Sequence, residues 1–265
     1  MTVIVKNHNN DSELNELRQA IRSNQFTQNT SGLMPGLVQG NVAILPAKLA
    51  EEFIEFCELN SKPCPVIGFT EAGKPELPML GNNLDIRIDL PEYYIFENGE
   101  FSRSAHDITN EWQADSVAVV LGCSYSFEDA LIAAGYRVRN IDADVNVSMY
   151  DTNIPTKPTK HFSGNTVVSM RPFKRQDVDA VCEITASFSK THGAPIYIGD
   201  PEVIGIKDIN KPDYGEPVTI HDDEVPVFWG CGVTSQRVLR EAKLPLLITH
   251  APGKMLIADI RYNEL

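Results

Sequence analysis

The sequence predicts an α/β fold made of two similar layered halves, with helices packed on mixed sheets. Two stretches carry this prediction. Residues 117–121 are apolar and rich in β-branched side chains, and a Gly-Cys pair at 122–123 separates them from sequence of helical character. Residues 225–229 are followed in the same way by a Gly-Cys pair at 230–231. An apolar run without alternation is typical of a buried strand, so both stretches predict a strand, a tight turn and a helix.

Further similarities precede the two Gly-Cys pairs, in the same order in each half. A Gly-Asn pair begins an apolar segment at 40–41 and again at 164–165. A run of proline, apolar residues and glycine then occurs at 65–68 and at 195–199. An ordered series of this kind, with loops of different length between its members, indicates an internal duplication. The predicted halves are an N-terminal α/β half, residues 1–150, and a C-terminal α/β half, residues 151–265.

The other elements follow from local patterns, taken in chain order. Apolar residues at helical spacing predict helices at 11–22 and 47–57. Alternation of charged and apolar residues predicts a half-exposed strand at 85–90, and an Asn-Gly pair within 93–101 predicts a hairpin. The remaining predictions are a short helix at 107–113, a strand at 135–140, a linker at 144–160, a helix at 176–188, and strands at 246–249 and 255–260.

Composition excludes several classes of partner. A net charge of −13 argues against nucleic acid, which requires an electropositive surface, and against an anionic membrane surface. No segment approaches the roughly 18 uncharged apolar residues of a membrane span, and the N-terminus lacks the pattern of an export signal. We therefore expect a soluble, cytoplasmic protein, and leave open whether it forms homo-oligomers. The five cysteines are spread through both halves, which favours neither a disulfide framework nor a zinc site.

Three charged residues lie in or beside apolar stretches. Arg87 and Asp89 belong to the predicted strand at 85–90, and Arg171 follows an apolar segment of the second half. A guanidinium group suits bidentate binding of a carboxylate ligand. A structural ion pair, of Arg87 with Asp89 or Asp208, is the alternative interpretation.

The remaining polar candidates also have two interpretations each. His192 and His250 flank predicted strands, where an imidazole serves either as a general base or as a structural side chain. Asp200 follows a strand and either acts on substrate or caps the turn. Cys123 and Cys231 lie at predicted helix N-termini, which lowers a thiol pKa, yet cysteine is also a common buried apolar residue.

These motifs together resemble one known pattern, which covers nearly all of the chain from residue 20 to the C-terminus. Its parts are residues 31–32, 36–39, 41, 62–65, 85–91, 122–124, 126–128, 149–154, 167–172, 192–195, 199–201, 225–229 and 231–234. The chain is similar to the bacterial hydro-lyase family, whose domain is shared with the D-glutamate cyclase of animal mitochondria. The resemblance implies closure of D-glutamate to 5-oxo-D-proline with loss of water.

Ring closure of this kind needs a deprotonated amine, a neutralised γ-carboxyl group and a clamp on the α-carboxylate. With the resemblance, this chemistry assigns catalytic roles to Cys123, Ser124, His192 and Asp200. The predicted substrate-binding residues are Ser31, Gln39, Arg87, Asp89, Ser126, Tyr150, Asn153, Arg171 and Cys231. The scheme requires no metal and no organic cofactor.

The predicted function is that of a hydro-lyase acting on a small amino or hydroxy dicarboxylate. A non-catalytic protein that binds a small carboxylate or an amino acid is the alternative from another class. In that case Arg87 and Arg171 would still clamp the ligand, but no group would exchange a proton with it.

Overall fold

The computed structural model describes residues 8–30 and 32–265. Its α-helices are α1 (His8–Arg22), α2 (Ala47–Leu59), α3 (Tyr125–Ala133), α4 (Arg139–Asp142), α5 (Val178–Ala186) and α6 (Val233–Glu241). Its strands are β1 (Leu37–Pro46), β2 (Val66–Phe69), β3 (Tyr93–Glu97), β4 (Glu100–Ala105), β5 (Ser116–Gly122), β6 (Ser148–Pro155), β7 (Asn165–Lys174), β8 (Tyr197–Ile198), β9 (Glu224–Gly230), β10 (Leu246–His250) and β11 (Leu256–Arg261).

The strands form two sheets, and the predicted α/β class is confirmed. The first sheet has the order β2-β5-β1-β10-β3-β4, with β11 also paired to β1, and the second has the order β6-β7-β9-β8. The sequence predicts mixed sheets, whereas the strand pairs in the described part of the chain are antiparallel. Parallel neighbours need a crossover that joins them. Here α2 and α5 each cross over to a strand that is separated from the first by one antiparallel strand, β5 or β9, and α3 and α6 join strands of different sheets.

The two predicted strand-turn-helix units are confirmed, and they match residue for residue. Each has a strand of seven residues, a turn of two residues and a helix of nine residues: β5 with α3, and β9 with α6. Each strand also pairs with a strand of ten residues in the same register. Gly122 lies opposite Gly40 of β1, and Gly230 lies opposite Val168 of β7.

The strand that follows each unit lies in the other sheet. After α3 the chain enters β6 in the second sheet, and after α6 it enters β10 and then β11 in the first sheet. The matched units support an internal duplication, which stays a prediction. The predicted division at residue 150 falls within β6, and the assignment of 1–150 and 151–265 to separate halves also stays a prediction.

The long strands are buried on both faces, which explains their unbroken apolar sequence. In β1, Val42 and Ile44 pack in one core, while Ala43 and Leu45 pack in another. The second of these cores contains aromatic side chains of α2, including Phe53, and residues of α6. A third core lies between the second sheet, α3 and α5, and centres on Trp229.

Glycine is required at the end of β5 by a close approach of backbone. A Cβ atom on Gly122 would lie 2.0 Å from the carbonyl oxygen of Lys190, and one on Gly230 would lie 2.9 Å from the carbonyl oxygen of Lys62. The segment near residue 190 therefore crosses the first Gly-Cys turn, and the segment near residue 62 crosses the second. Each turn is packed against chain from the other half of the sequence.

Some local predictions are confirmed and four are wrong. The helices at 11–22 and 47–57 correspond to α1 and α2, and the hairpin corresponds to β3 and β4. Residues 85–90 and 107–113 contain turns, and residues 139 and 140 of the predicted strand at 135–140 belong to α4. The predicted linker at 144–160 contains strand β6. Aspartate side chains explain the first error, because the Asp89 carboxylate accepts a hydrogen bond from the Asp85 N–H at 2.7 Å. Such local bonds compete with strand pairing.

We predict that Gly122→Ala destabilises the fold by roughly 1–3 kcal/mol or more, because its Cβ would overlap a backbone carbonyl that cannot move alone. Urea unfolding of the purified variant measures this difference. Gly164→Ala is the matched control, since its Cβ would meet only side-chain atoms, at 3.1 Å from Val238 and 3.4 Å from Glu241. Equal stability losses in the two variants would contradict the close approach at Gly122.

Candidate functional site

A cavity of about 840 Å³ opens between the starts of α3 and α6. The β3–β4 hairpin and the segment around residues 146–151 complete its walls. Its buried lining includes Asn41, Cys123, Ser124, His192, Gly232 and His250. The first N–H groups of a helix have no partner within the helix, and they carry the positive end of its dipole. Two helix N-termini therefore face one cavity.

Cys123 and Cys231 occupy matching positions at these helix starts. The Cys123 N–H donates to the Gln39 carbonyl at 3.1 Å, and the Cys231 N–H donates to the Val167 carbonyl at 3.0 Å. Burial raises the pKa of the Cys123 thiol to about 12 and that of Cys231 to about 11. An N–H group two residues along the chain lowers each pKa less than burial raises it. Both thiols are therefore neutral near pH 7.

Ser124 lines the cavity, and Arg171 lies behind it. The Arg171 side chain donates to Ser124 Oγ at 3.2 Å, to Ser169 Oγ at 3.0 Å and, through Nε, to the Glu128 carboxylate at 2.8 Å. The rings of Phe127 and Trp229 lie over its guanidinium carbon at 5.0 and 5.6 Å. Arg171 is 1% exposed, and it is not among the residues that line the cavity.

One ring nitrogen of His192 forms a hydrogen bond, and the other has no hydrogen-bond partner among the described residues. Its Nδ1 lies 2.8 Å from the Lys62 carbonyl oxygen, which can only accept, so we assign the proton to Nδ1 and an unprotonated lone pair to Nε2. Burial lowers the pKa of His192 to about 4. Its φ of 83° lies in the left-handed region, and the Gly193 that follows has a φ of 65°. This backbone turns the imidazole toward the crossing segment near Lys62.

His250 differs from His192 because both of its nitrogens have protein partners. The Val42 N–H donates to Nδ1 at 3.1 Å, and the Gln236 side-chain amide lies 3.0 Å from Nε2. Burial lowers the pKa of His250 to about 4. Since β1 changes partner from β10 to β11 near this point, the imidazole supplies an acceptor to a strand N–H. Of the two histidines, His192 is the one whose lone pair is available to a ligand.

The exposed rim of the cavity carries both signs of charge. Arg237 is paired with Asp151 at 2.6 Å and with Glu241 at 2.8 Å. Arg240 lies over the ring of Phe96 at 5.5 Å. Among the described residues, neither Arg240 nor Lys243 forms an ion pair. These two cations therefore remain available to an anionic ligand at the mouth.

The structure brings four of the residues predicted from sequence into the cavity lining and places others elsewhere. Cys123, Ser124, His192 and Cys231 line the cavity. Asp200 caps the turn that follows it, where its carboxylate accepts from the Glu202 N–H at 3.0 Å. Ser31 lies outside the described residues.

The two carboxylate-clamp candidates of the first half are paired within the protein, away from the cavity lining. The Arg87 guanidinium binds the Asp85 carboxylate at 2.6 and 2.9 Å, and this ion pair raises the pKa of Arg87. Asp89 is buried and binds Arg22 at 2.6 and 2.8 Å. The sequence offers Asp89 or Asp208 as a structural partner of Arg87, whereas the structure pairs Arg87 with Asp85 and Asp89 with Arg22.

The other four predicted binding residues also lie outside the lining. Gln39 is buried, and its amide donates to the Thr30 carbonyl at 2.9 Å. The Tyr150 hydroxyl donates to the Ile209 carbonyl at 2.6 Å, and burial raises the pKa of Tyr150 to about 12. Asn153 is exposed and lies 3.4 Å from the Val203 carbonyl, while the Ser126 hydroxyl is buried in the first turn of α3.

The cavity lining also contains residues absent from the predicted site, among them Asn41, Tyr125, Gln236 and His250. Asn41 belongs to the repeated Gly-Asn pair, and His250 is one of the two candidate bases in the sequence. Tyr125 is the first residue of α3, and Gln236 is the fourth residue of α6. Each of these two residues follows a Gly-Cys pair within a few positions of the sequence, and this spacing is the signal that could have identified it.

Within residues 8–30 and 32–265, no three or more His, Cys, Asp or Glu side chains gather in a way that could hold a metal ion. No helix in these ranges is both long enough and apolar enough to cross a membrane.

The buried end of the cavity thus offers neutral groups of opposite hydrogen-bonding character. His192 presents an acceptor, and Ser124 presents a hydroxyl whose oxygen already accepts from Arg171. The helix starts add N–H donors for a carbonyl or carboxylate oxygen. Such an arrangement can remove a proton from one atom of a ligand while it stabilises negative charge on another.

Comparison with known proteins gives consistent matches, and the relatives named below cover more than nine-tenths of the chain. The profile of the D-glutamate cyclase family matches residues 117–259. A protein of Aliivibrio salmonicida named "Putative hydro-lyase" is 54% identical over 254 residues, which cover 96% of this chain and 97% of the relative. A relative of the same name from Rhodopseudomonas palustris is 52% identical, with 94% and 92% covered, and one from Shewanella woodyi is 50% identical, with 94% and 93% covered.

We predict that iodoacetamide at pH 8 alkylates Cys123 and Cys231 at least about 100-fold more slowly than it alkylates free glutathione, because their raised pKa values leave little thiolate. Peptide mapping by mass spectrometry measures each site. The half-buried Cys182 serves as an internal comparison. Faster reaction at Cys123 than at Cys182 would show that the helix N-terminus outweighs burial.

We predict that the two buried histidines make the fold less stable in acid. Their pKa values near 4 lie below the usual 6.5, so the unfolded chain binds more protons as the pH falls from 6.5 to 4. Each histidine then lowers the free energy of unfolding by up to about 1.4 kcal/mol per pH unit in this window. The stability is fully present above pH 6.5.

Urea unfolding at several pH values, for the wild type and His250→Gln, isolates one of these contributions. The variant should be less stable at pH 7, and its deficit should shrink or reverse toward pH 4.5. His221→Gln, which changes an exposed imidazole, should show no such trend. A constant deficit for His250→Gln across the range would rule out the pH effect.

Proposed function

Because this chain belongs to the D-glutamate cyclase family, we propose that it is a hydro-lyase that removes water from a small amino or hydroxy dicarboxylate, and that D-glutamate is its substrate. The product would be 5-oxo-D-proline. The observation that carries the proposal is the cavity in which an imidazole acceptor, a serine hydroxyl and two helix N-termini converge.

The reaction forms one bond and breaks one. The α-amine nitrogen attacks the γ-carboxyl carbon, a C–N bond forms, and a C–O bond breaks. The ammonium group loses two protons in total, and these leave with the carboxyl oxygen as water. A base near the amine and a proton donor near the departing oxygen are therefore the groups that the site must supply.

His192 suits the role of base. Its Nε2 is unprotonated because Nδ1 donates to the Lys62 carbonyl. A pKa near 4 keeps the ring neutral before substrate binds. A bound dicarboxylate adds negative charge beside the imidazole, which raises its pKa and makes it a stronger base. Substrate binding and activation of the base would then be linked.

The rest of the lining suits an anionic substrate. The neutral thiols of Cys123 and Cys231 do not repel a carboxylate, as thiolates would. The N–H groups at the starts of α3 and α6 can stabilise the oxygen that gains charge when the nitrogen attacks. Arg240 and Lys243 at the rim attract a dicarboxylate to a protein whose net charge is −13.

The test is a survey of substrates with a variant of the proposed base. Purified protein is incubated with D-glutamate, L-glutamate and related amino and hydroxy diacids, and mass spectrometry detects a product lighter by one water. We expect His192→Asn to lower turnover at least about 100-fold while remaining folded, because asparagine tolerates a positive φ. His221→Gln should retain wild-type turnover.

Two results would count against the proposal. If none of the diacids loses water but some bind tightly, the protein is a binder rather than an enzyme. If His192→Asn retains turnover within about threefold of the wild type, proton transfer does not depend on His192.

A further inference from the structure

The buried ion pair of Arg171 and Glu128 occurs in only one of the two matching units. Arg171 of β7 lies opposite Val227 of β9, and Ala43 of β1 lies opposite Val119 of β5. By strand register, Arg171 therefore corresponds to Ala43. By position in the helix, Glu128 of α3 corresponds to Gln236 of α6. One unit therefore folds with an alanine and a glutamine at these places, so the strand-turn-helix arrangement itself does not require the charges.

The pair is nevertheless completely enclosed. Arg171 is 1% exposed and Glu128 is 2% exposed, and aromatic rings lie over the guanidinium. A buried ion pair carries a large desolvation penalty and often stabilises a fold no better than apolar side chains of the same volume. Its presence in one unit alone therefore points to a role other than packing.

The geometry around Ser124 indicates that role. An arginine side chain has donors only, so in the contact at 3.2 Å the serine oxygen must accept. The serine O–H proton is then left without an acceptor among the described residues, and Ser124 lines the cavity. Arg171 thus decides which way the hydroxyl proton faces.

We propose that Arg171, held by Glu128, is a positioning residue that makes Ser124 a hydrogen-bond donor into the cavity, where its O–H gives a proton to the departing oxygen of the substrate. The proposal rests on the function proposed above. The serine proton passes to the oxygen whose C–O bond breaks. Of the two protons that the ammonium group loses, one returns to the serine oxygen and the other goes to the departing oxygen, which leaves as water.

A double-mutant cycle tests the coupling between Arg171 and Ser124. The paired change Arg171→Met with Glu128→Leu removes both charges together and so avoids an unpaired buried carboxylate. We expect this change and Ser124→Ala each to lower kcat by roughly 100-fold, with KM within about threefold of the wild type. Combining all three substitutions should lower kcat no further than Ser124→Ala alone.

A purely structural pair would behave differently in the same cycle. Its removal would leave kcat per folded molecule unchanged, or its effect would multiply with that of Ser124→Ala. Either result overturns the proposal. Thermal unfolding of each variant provides the folded fraction by which kcat is normalised.

A second measurement does not depend on turnover, and so separates this proposal from the proposed function. Ser124→Cys places a thiol where Arg171 donates, and the pH dependence of its alkylation gives its pKa. We expect the pKa of this thiol to be at least half a unit lower with the native Arg171 and Glu128 than in the background of Arg171→Met with Glu128→Leu, because a guanidinium N–H stabilises a thiolate.

Equal pKa values in the two backgrounds would overturn the positioning role, whatever the enzyme turns over. If the two thiol pKa values differ as expected but the protein dehydrates none of the diacids, the proposed function is wrong and the contact between Arg171 and Ser124 is still supported.

Discussion

The structure depends on two places where backbone from one half of the chain crosses a strand end of the other half. At Gly122 the Lys190 carbonyl oxygen would lie 2.0 Å from an added Cβ, and at Gly230 the Lys62 carbonyl oxygen would lie 2.9 Å from one. These contacts hold the starts of α3 and α6 beside each other. They also place His192, two residues after Lys190, against Lys62. The cavity exists because the two crossings occur side by side.

Burial sets the protonation states within that cavity more strongly than local charge does. Cys123 and Cys231 lie at helix N-termini, where a thiol pKa is usually lowered, yet desolvation raises both values. The same effect lowers the pKa values of His192 and His250. The cysteines and histidines of the lining are therefore neutral near pH 7. The charged residues of the lining lie at the rim, and the buried ion pair of Arg171 and Glu128 lies behind Ser124. A site of this kind discriminates by the placement of donors and acceptors.

The two matching units share their geometry and differ in the chemistry of their side chains. Ser124 at one helix start corresponds to Gly232 at the other, and Glu128 corresponds to Gln236. One side of the cavity thus has a hydroxyl supported by a buried ion pair, and the other has an amide beside His250. A symmetric frame with asymmetric side chains allows the two ends of a small ligand to be treated differently.

Local sequence determined the strand-turn-helix units, the helices α1 and α2, and the β3–β4 hairpin, because apolar spacing, glycine and Asn-Gly turns act within a few residues of themselves. It also marked Cys123, Ser124, His192 and Cys231, which the tertiary structure brings to one cavity. Only the tertiary structure decided that Arg171 faces Glu128, that Arg87 binds Asp85, and that β10 completes the first sheet. Those contacts join distant segments of the chain or depend on burial. A local sequence pattern does not specify which sheet a strand joins or how deeply a side chain is buried.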